Sequence, residues 1–252
     1  MRSRYYWLIG GLIVLLARHA SAEDARLIID MAIHAAGGRE ALRKYQGPVF
    51  REQRGKTFAG SGPFEITLKV TEWLPDKMRT EQVTLRQGIK VPAVQGLNAT
   101  RGWITVESRE PPARLPMYKA TEMDATTIEA TRNRLYMHWV ATLLPLDEAA
   151  FQLATVDDIA IDSRPAIGVS VSHPDRPQVE LYFDKETFLM VKLARVANGR
   201  VIAEFYFDHA ELEGLVYPTR TVVHKDGKKV LEIETTEFKF IDPPADDFFD
   251  EL

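Results

Sequence analysis

The sequence predicts an α+β fold that is mainly antiparallel β: one strongly curling sheet of about 11–12 strands with two main helices. Three observations carry this. From residue 49 onward most of the chain alternates apolar and polar residues with a period of two; short turn signals separate the alternating stretches; and only two segments, near 24–36 and 124–144, carry apolar residues at helical spacing.

The N-terminus reads as a targeting segment. Arg2 and Arg4 precede a short apolar run from Tyr5 to Leu16, and Ala20-Ser21-Ala22 supplies the small-x-small pattern of a signal peptidase site. The run falls short of the roughly 20 apolar residues that a membrane-spanning helix needs. Residues 1–22 are therefore expected to be a cleavable signal peptide and residues 23–252 a single domain, periplasmic or released to the medium, monomeric and not membrane-spanning. The chain has no cysteine, so it can form neither a lipid-modified cysteine nor a disulfide scaffold. Of the 32 Lys+Arg residues, Arg2, Arg4 and Arg18 fall in the leader, which holds no acid; the remaining 29 stand against 36 Asp+Glu, a formal charge of −7. No basic stripe suits nucleic acid, which is not expected as a partner. Without crosslinks the stability must come from a core, and 45% apolar residues suffice for one.

The first helix is predicted over 24–36, with Leu27, Ile28, Met31, Ala32 and Ala35 on one face, ended by Gly37-Gly38. A short helical turn is expected over 39–45. Then the period changes. Strands are predicted near 49–58, 64–71, 77–86, 89–96 and 101–107; in the second of these Phe64, Ile66, Leu68 and Val70 alternate with Glu65, Thr67, Lys69 and Thr71. A loop bearing Pro111, Pro112 and Pro116 interrupts the series. The second helix is predicted over 124–144, with Thr121 and Asp124 as a capping box and Pro145 as the stop. Its second half is apolar nearly all round, through Leu135, Tyr136, Met137, Trp139, Val140, Leu143 and Leu144, which predicts burial on several sides. Strands follow near 151–161, 166–172, 178–184, 188–197, 200–208, 215–225 and 228–241, with hairpin turns at Asn198-Gly199 and Asp226-Gly227. A twisted sheet of this size must curl or close.

Catalytic and metal signatures are not found. The histidines at 34, 138, 173, 209 and 224 stand singly, without paired metal spacing, and read as surface or packing residues. Gly60-Ser61-Gly62 is a turn between strands rather than a nucleophile elbow. Asp157-Asp158 and the acids at 246, 247, 250 and 251 lack the spaced ligands of a calcium loop. No nucleophile–base pair can be named, so the expected function is non-enzymatic, with no cofactor and no metal. What remains is an apolar and aromatic set, Phe64, Ile66, Leu68, Trp73, Trp103, Trp139, Phe183, Phe205, Phe207 and Tyr217. It lines a cavity or fills a core; a sheet too wide to be filled by its own side chains favours the cavity.

The order of parts, together with Tyr182-Phe183-Asp184-Lys185-Glu186-Thr187-Phe188-Leu189, Gly214-Leu215-Val216-Tyr217-Pro218-Thr219 and Phe238-Lys239-Phe240, resembles the bacterial outer-membrane lipoprotein-sorting (LolA-like) superfamily. Phe188 departs from the pattern, where glycine is usual. The resemblance implies a strongly curved half-open β-barrel whose helices cover or plug the concave face, and a hydrophobic small molecule, lipid or lipoprotein as partner. The alternative expectation is an envelope interaction or sensor module with a filled barrel that binds another protein. These motifs are turn and strand grammar, so the resemblance assigns no functional residue.

Overall fold

The computed structural model describes residues 22–58, 62–99, 101–108, 117–197, 199–245 and 247–250. The expected leader and the Gly60-Ser61 turn lie outside these, except for Ala22. Helix α1 covers 22–35, α2 Gly38–Leu42 and a 3-10 turn Arg43–Gln46. Six strands follow: β1 Val49–Thr57, β2 Phe64–Trp73, β3 Lys77–Arg86, β4 Ile89–Leu97, β5 Gly102–Ser108 and β6 Met117–Glu122. Helix α3, Ala125–Ala141, then leads through a 3-10 turn at Leu144–Asp147 into seven more. These are β7 Gln152–Ile161, β8 Arg164–His173, β9 Arg176–Asp184, β10 Met190–Ala197, β11 Arg200–Leu212, β12 Leu215–Lys225 and β13 Lys228–Phe240.

All thirteen strands form one sheet in the order β6-β5-β4-β3-β2-β1-β13-β12-β11-β10-β9-β8-β7. Every adjacent pair is antiparallel. The chain starts at the centre, meanders to one edge, crosses by α3 to the other edge and meanders back, so that β13 closes against β1. The two unpaired edges, β6 and β7, are the strands that flank α3 in sequence. The sheet is therefore a curved, half-open barrel, and α3 is the connection across its gap.

Burial explains why α3 sits there. Tyr136, Met137 and Val140 share the main core with Val169, Val171, Val179, Leu181, Phe183 and Leu193 of β8–β10, while Leu135 joins Leu74, Met78 and Leu97 on the β3–β4 side. A helix apolar on several sides can satisfy two ends of a curled sheet at once. Ala25, Ile28, Ile29, Ala32 and Ile33 of α1 complete the main core. The buried face of α1 is thus rotated from the expected one: Leu27 is 59% exposed and Ile29 fully buried.

Several boundaries differ from expectation. β6 occupies Met117–Glu122, where a loop was expected, bringing the strands to thirteen. Asp124 is itself the N-cap of α3, accepting from the Thr127 N–H at 2.8 Å, and Thr121 belongs to β6, so no capping box forms. The helix ends at Ala141, because Leu143 turns left-handed at φ 62°. The glycine pair behaves as predicted: Gly37 has φ 106°, and a Cβ there would lie 1.8 Å from the Gly214 carbonyl oxygen. Phe188, where the superfamily's pattern favours glycine, adopts φ 56°. Asp226-Gly227 turns with φ 51° and 75°, the paired left-handed values of a two-residue hairpin. No helix among the described residues is long and apolar enough to cross a membrane.

Candidate functional site

Alternation in strands bent around α3 puts every second residue into the concavity. The result is a cavity of about 960 Å³ between the concave face and the helices, so the described side chains do not fill the barrel. On β2 the inward residues are Ile66, Leu68, Val70 and Glu72; on β11 they are Ile202, Glu204 and Tyr206; on β13, Leu231, Ile233, Thr235 and Phe238. Ile66, Leu68 and Ile233 pack together, with Val70 and Leu231 against them, and make one end of the cavity apolar. Leu42, Leu215, Tyr217, Phe183 and Met137 enclose the end beneath the helices.

Between these apolar ends lies a charged belt assembled from α3 and four strands. Arg51 Nη2 on β1 donates to Glu72 Oε2 at 2.7 Å, and His138 Nδ1 on α3 lies 2.9 Å from Glu72 Oε1. The other imidazole nitrogen, Nε2, is 3.5 Å from Glu204 Oε1, whose neighbouring oxygen accepts from the Tyr206 hydroxyl at 3.1 Å. Glu72 is 2% exposed and Glu204 8%. Burial by itself would neutralise these groups. It lowers the His138 pKa, but the Glu72 and Glu204 carboxylates outweigh it and raise the value to about 9. Burial likewise pushes Glu72 up, and the charges of Arg51 and His138 reverse this, holding its carboxyl well below the usual range. His138 is consequently an imidazolium donating to two carboxylates at neutral pH. Arg195 of β10 and Arg134 of α3 also line the cavity. Arg134 Nη2 donates to the Met78 sulfur at 2.8 Å.

Four of the residues predicted for the site, Ile66, Leu68, Phe183 and Tyr217, line this cavity together. The other six lie elsewhere. Phe64 is at the start of β2 under the Arg86 guanidinium, and Trp73, one residue out of phase with Glu72, donates its indole N–H to the Gln46 carbonyl at 3.1 Å. Trp103 donates to the Phe249 carbonyl at 3.0 Å, and its ring fills the space that a side chain at Gly96 would need. Trp139 packs edge-on against Phe151 in the core, 5.7 Å between ring centres. Phe205 and Phe207 alternate out of phase with the inward residues of β11; Lys192 and Arg220 lie over their rings. Aromatic character does not fix the face a strand residue takes; the backbone geometry of each strand does.

The charged belt is not among the residues that the sequence predicts for the site. One signal for it exists: Glu72 continues the phase of Ile66, Leu68 and Val70, which places a carboxylate on an apolar face. Among the described residues, no group of three or more His, Cys, Asp or Glu side chains is placed to hold a metal ion.

No family model matches the sequence, and no curated protein matches it. Solved structures do. A LolA superfamily protein from Nitrosomonas europaea aligns with 89% of this chain and 96% of its own, at a TM-score of 0.54 and 13% identity. A domain provisionally described as an outer membrane lipoprotein-sorting protein, from Vibrio parahaemolyticus, aligns with 91% of this chain and 97% of its own, at a TM-score of 0.50 and 9% identity. At such identities the likeness is one of fold, and the fold of this chain is LolA-like: a half-open antiparallel barrel wrapped around a central helix.

Proposed function

We propose that residues 23–252 form an exported, non-enzymatic carrier or binder that holds an apolar, lipid-like ligand between the concave sheet and α3. The observation that carries this is the cavity itself. Its volume of about 960 Å³ lies near the top of the range, about 300–1,000 Å³, that small-molecule sites occupy. Its ends are walled by aliphatic and aromatic side chains that would otherwise have been free to meet one another. The lipoprotein-sorting description of the Vibrio structure supports the acyl chains of a lipoprotein as one such ligand. The Arg2–Ala22 leader pattern supports periplasmic delivery. Burying about sixteen methylenes at roughly 0.8 kcal/mol each yields on the order of 10 kcal/mol against an association cost of about 4–15, which allows micromolar affinity.

Titration with a fluorescent acyl-chain probe tests the reading. The wild type is expected to bind it, and Leu68→Arg to weaken binding while keeping a urea midpoint closer to wild type than Leu143→Arg does. Both residues line the cavity, but Leu68 packs only in the small cluster with Ile66 and Ile233, where an arginine can extend into the hollow, whereas Leu143 belongs to the main core. A wild type that takes up no amphiphile overturns the proposal.

A further inference from the structure

The apolar ends of the cavity explain a tail but not the two arginines between them. Arg195 is 5% exposed, and its Nε and Nη1 have no hydrogen-bond partner; the Arg134 Nε is likewise buried without one. Guanidinium does not escape such a position by losing its proton, because its pKa is too high. The carboxylates that line the cavity are already engaged: Glu72 by Arg51 and His138, Glu204 by His138 and Tyr206. Arg51, Arg134 and Arg195 stand against Glu72 and Glu204 in the lining, so positive charge is in excess before His138 is counted. A buried cationic excess with free N–H groups is a site short of an anion.

Resting on the carrier reading above, we propose that Arg195 and Arg134 form a clamp for the anionic head group of a long-chain amphiphile, a carboxylate or phosphate whose oxygens take the free guanidinium N–H donors. The tail site abuts it. In the sheet register Arg195 stands beside Ile202, which faces the same cavity, and Val223, opposite Glu204 on one side and Leu231 on the other, carries the lining across to the apolar end formed by Ile66, Leu68 and Ile233. The planar guanidinium fork matches both head groups, and its charge-assisted bonds are strongest away from water. The electrostatics agree: burial lowers the Arg195 pKa, Glu204 offsets this in part, and the charge of Arg134 lowers it further. A bound anion relieves both of the unfavourable effects.

The test compares three amphiphiles with the same oleoyl chain, delipidated protein and calorimetric titration: oleate, oleoyl lysophosphatidate and the uncharged monoolein. At least one anionic head is expected to bind about tenfold or more tightly than monoolein, and the one preferred identifies carboxylate or phosphate as the natural head. Arg195→Gln should erase that preference, read as the ratio of anionic to monoolein affinity in the same variant, and Arg195→Lys should keep part of it. Arg134→Gln, on a different element, repeats the measurement should Arg195→Gln fail to fold. Equal affinity for all three lipids in the wild type, or a preference that survives both glutamine variants, overturns the clamp and leaves the carrier reading standing. If none of the three binds, both fall.

Discussion

His138 Nδ1 lies 2.9 Å from Glu72 Oε1, so that the last turn of α3 is tied to β2 across the cavity by a buried ion pair. The same imidazole reaches Glu204 on β11, and the groups around it are Arg51 from β1, Tyr206 from β11, Arg195 from β10 and Arg134 from α3. The pair adds to the apolar packing of the helix and to the bond from Arg132 to the Ala99 carbonyl at 2.8 Å.

Stability should therefore fall in mildly alkaline solution. Burial lowers the His138 pKa and the two carboxylates raise it, to a net value of about 9 against the ordinary 6.5. A group raised in the folded state contributes stability that is complete below pH 6.5 and lost as pH climbs through about 9. The full effect is on the order of 3 kcal/mol. Urea midpoints measured from pH 6 to 9.5 should drop for the wild type across that window and much less for His138→Gln. Parallel curves would show that the imidazole is not charged in the folded state.

Asp184 governs the β9–β10 turn. Its Oδ1 accepts from the Glu186 and Thr187 N–H groups at 3.0 and 2.9 Å, and Arg164 donates to Oδ2 at 2.7 Å. These bonds let Phe188 take its left-handed φ without glycine. Burial raises the Asp184 pKa, but the N–H groups and Arg164 prevail and bring it to about 2. Its contribution is present above about pH 3.8 and is lost as pH falls through about 2. Asp184→Ala should cost about 2 kcal/mol at neutral pH, read from urea unfolding, with the loss shrinking toward pH 2. A neutral substitution would mean that packing alone sets the turn.

Gly37 and Gly38 offer a paired test of backbone constraint. Both have positive φ, yet a Cβ at Gly37 would strike the Gly214 carbonyl at 1.8 Å, whereas one at Gly38 would meet nothing within 4 Å. Gly38→Ala should cost about 1 kcal/mol from left-handed strain alone. Gly37→Ala should cost more than about 2 kcal/mol, since the Val216 N–H to Ala36 carbonyl bond beside it must also give way. Thermal unfolding of the two variants separates them, and equal losses would place α1 further from the β11–β12 hairpin than described.

The contrast between fold and site follows from what a single strand can reveal. Alternation and turn residues are local, so β2, β9 and the Asp226-Gly227 hairpin were legible. β6 was not. Met117–Glu122 is an edge strand with one neighbour, under no demand to alternate cleanly, and it follows three prolines. The apolar wall of Ile66 and Leu68 was readable from parity, and the same parity places Trp73, in phase with Glu65, Thr67, Lys69 and Thr71, outside. On β11 parity misleads, because Val201, Ala203, Phe205 and Phe207 form the more apolar phase while Ile202, Glu204 and Tyr206 face the cavity. The charged belt joins residues 51, 72, 134, 138, 195 and 204, from five elements. Arg51 meets Glu72 through the register of the β1–β2 pair, in which Glu72 stands opposite Val49, but nothing local pairs His138 with Glu72 or Glu204; only the curl of the sheet around α3 does.

The belt also predicts an unequal response to removing charge. Glu72 has two cationic partners, so Glu72→Gln leaves Arg51 and His138 buried with less compensation and should cost roughly 3 kcal/mol or more. Arg195 has no hydrogen-bond partner at Nε or Nη1, and Glu204 keeps His138 and Tyr206 when it is removed. Methionine covers a similar volume without a charge to desolvate, so Arg195→Met should leave the ligand-free protein as stable as wild type or about 1 kcal/mol more so. The difference lies in whether the charge that remains has a partner, not in how deeply the mutated residue is buried. Urea midpoints of both variants, measured on delipidated protein at pH 7, decide the matter. A loss at Arg195 as large as that at Glu72 would mean that the guanidinium is paired within the fold and is not held free for a ligand.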